Sequence, residues 1–76
     1  MSISMAVGNR IRETGRSFSW VARQVKELDS MTGLTEKKLS LSARGQRSLT
    51  VDEFLNICKV LDVKPDEFFV EFRESA

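Results

Sequence analysis

The residues best suited to do chemistry in this 76-residue chain are the polar and basic side chains between positions 35 and 47. That stretch contains Lys37, Lys38, Arg44 and Arg47, interspersed with Glu36, Ser40 and Gln46. Cationic side chains bind phosphates, and amides, carboxylates and ammonium groups can hydrogen-bond to base edges. The pattern favours a nucleic-acid contact, although the same charges could simply cover a solvent-exposed helix.

Residue types suited to catalysis are scarce. The chain has no histidine, and its one cysteine, Cys58, cannot form an internal disulfide. The carboxylates at positions 52, 53, 66 and 67 are better explained as helix caps and helix-dipole partners than as a catalytic pair. We therefore expect no enzyme activity, no cofactor and no metal site, and we expect Cys58 to be buried and inert.

Charge is distributed unevenly along the chain. Residues 1–48 carry nine basic and four acidic side chains, a net +5, whereas residues 49–76 carry three and seven, a net −4. A basic half can face phosphates while the whole chain stays near neutrality. The length, the 41% hydrophobic content and the lack of a long apolar run or signal-like N-terminus predict one cytoplasmic, soluble domain over 1–76. Its core is expected at about 4–70, with a tail at 71–76.

Apolar spacing of three and four predicts an all-α fold of five helices. The clearest helix spans 51–61, where Thr50 and Glu53 form a capping box and Pro65 begins a short helix beyond it. Its apolar stripe consists of Val51, Phe54, Leu55, Cys58 and Leu61, and Ile57 and Val60 widen this apolar face. An opening helix is predicted at 5–13.

Two further helices lie between these. Ser17 can cap a helix that extends to Leu28, or as far as Met31, with a shared apolar face made of Phe18, Val21, Ala22, Val25 and Leu28. We expect Leu28 and Met31 in the core. Trp20 lies off that face and could meet DNA, Met31 or a second copy; packing within the domain is favoured. Thr35 can cap a helix from 36 to about 43, which Gly45 ends and which offers only Leu39 and Ala43 to the core.

Taken together, these elements resemble the phage repressor and Cro-type helix-turn-helix family. The resemblance lies in GLTEKKLSLSARGQRSLTVDEFLNICKVLDVKPDEFF (33–69) and, upstream, in VGNRIRETGRSFSWVARQV (7–25). Shared features are a turn glycine, a capping Thr35, the anchor Leu39, the closing Gly45 and a final L-x-V-x-x-D-E-F-F pattern. The resemblance implies a compact five-helix, lambda-repressor-like domain. Its helix-turn-helix would place the third helix in the major groove of DNA.

The chain departs from the family between Ala22 and Gly33, where ten residues stand in place of about three. Seven extra residues are close to two turns at about 3.6 residues per turn, so we expect a lengthened second helix rather than a loop. Ser42 stands where an apolar residue is usual, and Ala43 where many relatives carry an acid.

The resemblance implies a sequence-specific regulator of transcription that binds double-stranded DNA. It would act as a repressor by occupying a palindromic operator as a homodimer. Base contacts are expected from Glu36, Lys37 and Leu41. Phosphate or flanking contacts are expected from Thr35, Lys38, Ser40, Arg44, Gln46 and Arg47, and from the start of the second helix at Arg16, Ser17, Phe18 and Ser19. A dimer contact is expected at Phe68, Phe69, Val70 and Phe72, although residues 70–72 could instead end the last helix or add an exposed strand. The alternative is a module that binds another protein, with an incidental basic face.

Overall fold

The computed structural model describes residues 2–69, and this part of the chain is all-helical, as predicted. Four helices follow one another: α1 (Ile3–Thr14), α2 (Phe18–Leu28), α3 (Glu36–Ala43) and α4 (Val51–Leu61). A final helical stretch, α5, is seen at 66–69. None of the helices within 2–69 is long and apolar enough to cross a membrane.

Hydroxyl caps set the start of all four longer helices. Ser17, Thr35 and Thr50 accept hydrogen bonds from backbone N–H groups in the first turns of α2, α3 and α4, as predicted. The capping box of Thr50 and Glu53 is complete. Ser2 caps α1 in the same way, so this helix begins two residues before the predicted start at Met5. Each cap satisfies an N–H group that has no acceptor inside the helix.

The connection between α2 and α3 differs from the expectation of a longer second helix. α2 ends at Leu28, and residues 29–35 form a non-helical segment. The Asp29 carboxylate accepts from the Met31 N–H at 3.1 Å, and its backbone carbonyl accepts from the Thr32 N–H at 3.0 Å. These bonds give the backbone an alternative to continuing the helix. Buried Leu34 then returns the chain to the core.

The apolar residues of this region are less buried than predicted. Leu28 is 56% exposed and Met31 is 89% exposed, so the expectation that both lie in the core was wrong. The buried residues of α2 are Val21, Ala22 and Val25, so burial on this helix stops about one turn before Leu28.

The hydrophobic core lies where α1 and α4 pack against the pair α2 and α3. α1 packs mainly on α3, and α2 packs on both α3 and α4. The buried cluster consists of Ala6, Val7, Ile11, Val21, Val25, Leu34, Leu39, Phe54, Ile57, Cys58 and Phe68. Cys58 is buried as predicted; burial, reinforced by Glu67 and opposed by Arg10, raises the pKa of its thiol.

The buried side of α4 is rotated from the predicted stripe. Phe54, Ile57 and Cys58 face the core, whereas Val51 is 72% exposed and Leu55 is 39% exposed. Glu53 is buried in their place beside Phe54. A helical period alone does not fix which edge of a wide apolar face meets the core.

α1 and α3 approach closely at Gly8. A Cβ atom added at Gly8 would lie 2.8 Å from the Ala43 Cα atom and closer still to its Cβ atom. Such contacts require the two helices to move apart. Gly8 therefore permits the opening helix and α3 to pack closely at this point.

We predict that Gly8→Ala lowers the free energy of unfolding by about 1–3 kcal/mol, as overpacking does. The predicted loss has the opposite sign to the gain of about 1 kcal/mol that replacing glycine by alanine usually brings inside a helix. Urea denaturation followed by circular dichroism measures it. Gly33→Ala is the control, because its added Cβ would meet only the Lys38 Nζ atom at 3.6 Å. Unchanged or higher stability of Gly8→Ala would contradict this close packing.

Candidate nucleic-acid interface

α3 buries one side and leaves the other in solvent. Leu39, Ser42 and Ala43 are its buried residues. The expectation of two core anchors, Leu39 and Ala43, is confirmed, but the placement of Ser42 on the outer side was wrong. The remaining residues of the helix are exposed or partly exposed: Glu36, Lys37, Lys38, Ser40 and Leu41.

A shallow depression runs along the outward side of α3. It is lined by Glu36, Lys37, Ser40, Leu41 and Arg44. Lys37 and Leu41, one turn apart, therefore share this side, as predicted. Its mixture of one carboxylate, two cations, a hydroxyl and an apolar side chain can offer hydrogen bonds and a methyl contact to a ligand.

The cations of this surface are available to an external anion. Within residues 2–69, the ion pairs engage only Arg10 and Arg47, so Lys37, Lys38 and Arg44 have no carboxylate partner there. The Arg44 guanidinium donates to the Ser40 hydroxyl at 3.1 Å, which leaves most of its donors unused. A phosphate could accept hydrogen bonds from these groups without first breaking an ion pair.

Hydroxyl groups expected to contact DNA serve as caps. The Thr35 hydroxyl accepts from the Lys38 N–H at 3.2 Å, and the Ser17 hydroxyl accepts from the Trp20 N–H at 3.0 Å. The first N–H groups of α2, those of Phe18 and Ser19, have no acceptor within residues 2–69. Such groups at the positive end of a helix favour phosphate.

Arg16 stands beside that helix start. Its guanidinium lies 4.4 Å from the centre of the Trp20 ring, a cation–π contact that limits the motion of the long side chain. Trp20 is half-buried and packs on the core, which agrees with the predicted packing within the domain. Phe18 packs on the core too, under the Arg12 guanidinium, and Ser19 is partly exposed.

A buried polar cluster secures the end of α3 to the start of α4. The Arg47 guanidinium donates to both carboxylate oxygens of Glu53, at 3.0 and 2.9 Å, and to the Ser42 hydroxyl at 3.2 Å. Ser42 in turn donates to the Lys38 carbonyl at 3.0 Å. Glu53 also accepts from the Thr50 N–H at 2.9 Å, and its side chain is only 9% exposed.

The electrostatics of this cluster favour its charged form. Burial raises the pKa of the Glu53 carboxyl, but hydrogen bonds from Arg47 and Thr50 outweigh burial and hold that pKa below its ordinary value. The hydrogen bond with Glu53 raises the pKa of Arg47 in spite of desolvation. Arg47 therefore acts within the fold, and its expected contact with DNA phosphate would compete with these bonds. A serine at a usually apolar position was the sequence signal that a polar partner lay nearby.

The residues expected at a dimer contact divide into three groups. Phe68 is buried, with its ring 5.6 Å from that of Phe54 and the Arg10 guanidinium 5.4 Å away, so it is occupied within the domain. Phe69 is 39% exposed. Val70 and Phe72 lie outside the described residues.

Gln46, which was expected to contact a phosphate or a flanking base, is exposed in the connection that follows α3.

Comparisons with known proteins give no relative for this chain. No protein-family model matches it, and no match is found among curated proteins or solved structures. A functional proposal therefore rests on the geometry of the chain itself and on the sequence pattern.

We predict that Arg47→Ala lowers the free energy of unfolding by about 1–3 kcal/mol, because it leaves the Glu53 carboxylate buried without its charged donor. Denaturant titration at pH 7 measures the loss. Arg44→Ala is the matched control: it removes an arginine from an exposed position three residues earlier and should change stability by no more than about 0.5 kcal/mol. Equal stability of the two variants would contradict the structural role of Arg47.

The lowered pKa of Glu53 predicts a defined pH dependence. A carboxyl whose folded pKa lies below its unfolded value, 4.5, adds stability that is present above pH 4.5 and disappears as the pH falls through the folded pKa. Glu53→Gln should therefore be less stable than the parent at pH 7, and the difference should shrink in acid. Denaturant titrations between pH 7 and pH 2 check this. Asp52→Asn, which removes an exposed carboxylate in the same helical turn, is the control and should cost less stability at pH 7 than Glu53→Gln.

Proposed function

We propose that this chain binds double-stranded DNA sequence-specifically, with the outward side of α3 in the major groove. The observation that supports it best is the division of α3 itself. Leu39, Ser42 and Ala43 attach the helix to the domain, and the opposite side presents donors, an acceptor and an apolar side chain. The major groove admits an α-helix and distinguishes all four base pairs by hydrogen bonds and the thymine methyl group.

The residues of this side suggest individual contacts. Lys37 can donate to guanine O6 or N7, Glu36 can accept from the cytosine amino group, and Leu41 can touch a thymine methyl. Lys38 and Arg44, exposed cations beside this side, suit phosphates of the flanking backbone. Arg16 and the first N–H groups of α2 suit a further phosphate.

The biological role that follows is regulation of transcription in the cytoplasm. Occupation of an operator excludes other proteins from it, which requires no catalysis and no cofactor, so we propose a repressor rather than an enzyme. By the family resemblance, two copies would bind a palindromic operator with their α3 helices about 34 Å apart. This pairing remains a prediction.

One observation favours a second candidate function, a protein-binding module. Leu28 and Met31 expose apolar surface at the start of the 29–35 connection, beside α3. Exposed apolar patches often mark protein contacts. A module of this kind would bind its partner without any dependence on a duplex.

The decisive experiment is selection of binding sites from random duplexes, followed by fluorescence anisotropy on the selected site and on a scrambled duplex at several salt concentrations. We expect affinity for both duplexes to fall with salt and the selected site to bind more tightly. No duplex binding at about 50 mM salt would contradict the proposal and favour the protein-binding module.

Within that assay, we predict that Lys37→Ala weakens binding to the selected site by about 5- to 150-fold, and weakens binding to the scrambled duplex much less. Lys38→Ala should weaken both similarly and lower the salt slope by about 1. Lys59→Ala is the control, because it removes the same charge from an exposed position on α4. Equal losses on both duplexes for Lys37→Ala would remove its assignment as a base contact.

A further inference from the structure

An apolar groove lies at the end of the domain where α1 and α4 begin. Its apolar lining is formed mainly by Ile3, Leu49, Val51, Phe54, Leu55 and Phe69. Within residues 2–69, the other lining residues are serines, a threonine and a proline, so no charged side chain borders the groove. Val51, Leu55 and Phe69 remain partly exposed here although they lie on otherwise apolar faces.

We propose that this groove is the docking site of the chain's own C-terminal segment, residues 70–76, and that the Phe72 ring occupies it. The described chain ends at Phe69, which itself lines the groove, so the segment starts at the site. Seven residues extend up to about 25 Å when fully stretched, more than enough to reach across it. The inference does not depend on DNA binding; it places the Phe72 ring within its own chain rather than in the predicted dimer contact.

The spacing of the phenylalanines supports this occupant. α5 begins at Asp66, with Phe68 buried against Phe54 and Phe69 at 6.0 Å from the same ring. In the sequence, Phe72 follows Phe68 by four residues and Phe69 by three, a spacing that would put the three rings on one face of a helix.

The charges of the segment fit the same arrangement. On a helix, Val70 and Glu74 would lie opposite Phe72, and Glu71 and Arg73 would lie about 100° to either side of it. None of the three charged side chains would then point directly at the uncharged groove, and the long side chains at its edges can reach water.

A second copy of the chain fits the groove less well. A stable interface between proteins buries about 800 Å² on each partner, more than the partly exposed Val51, Leu55 and Phe69 can supply. An attached segment also has a high effective concentration at the site, so a small contact is sufficient.

Docking would stabilise the connection between α3 and α4. Leu49 belongs to that connection, and its N–H donates to the Ser4 hydroxyl of α1 at 2.9 Å. Ile3 and Leu49 are on the groove wall, as is Val51 at the start of α4. A ring inserted between them would hold three elements together by apolar contact.

The contact can be observed directly in the full chain by NMR. We expect nuclear Overhauser effects from the Phe72 ring protons to the methyl groups of Ile3, Val51 or Leu55. A mixed sample of labelled and unlabelled chains separates contacts within one chain from contacts between two. Effects that arise only between chains would assign the groove to a second copy and overturn the proposal, and absence of any effect would overturn it as well.

Stability measurements supply an independent test. Phe72→Ala should lower the folding equilibrium constant by about 5- to 30-fold. Val70→Ala, an apolar truncation on the opposite face of the same segment, should change it by less than about threefold. In a Leu55→Ala background the effect of Phe72→Ala should fall to about threefold or less, because the two side chains share one contact. Equal effects of Phe72→Ala and Val70→Ala, or full additivity with Leu55→Ala, would contradict docking.

Discussion

The structure depends on the packing of one side of α3, a helix of eight residues, against the core. α3 is too short to be stable in isolation, since even helices of about 12–15 residues are marginal in water. Its stability must come from tertiary contacts, which Leu39 and Ala43 provide, the latter pressed against Gly8 of α1. This arrangement leaves the other side without a structural task, and that side is the one proposed to bind DNA.

Hydrogen bonds and one ion pair connect α3 to α4 where the apolar contacts of α3 end. Ser42 is fully buried, and its hydroxyl links the backbone of α3 to Arg47, which the Glu53 carboxylate holds. Glu53 also caps α4, so one side chain serves both helices. No buried side-chain nitrogen or oxygen in the described residues lacks a hydrogen-bond partner, which is the condition under which such a cluster stabilises a small core.

The surface around α3 combines charge with unexpected apolar exposure. Lys37, Lys38 and Arg44 face water without carboxylate partners in residues 2–69, whereas Arg10 and Arg47 are paired elsewhere. Basic residues of this small domain thus divide, within the described part of the chain, into an unpaired group on α3 and a group held by carboxylates. Met31 is exposed in the 29–35 connection, which is a non-helical segment rather than a continuation of α2.

Local signals in the sequence determined the all-helical class, three of the four caps, the bounds of α4 and the outward side of Lys37 and Leu41. These features depend on neighbouring residues and on the helical period, both readable from one chain. Only the tertiary structure decided the burial of Ser42, the pairing of Arg47 with Glu53, the exposure of Met31 and the rotation of α4 that leaves Val51 in solvent. Such outcomes depend on which surfaces distant segments present to one another, and spacing along the chain does not contain that information.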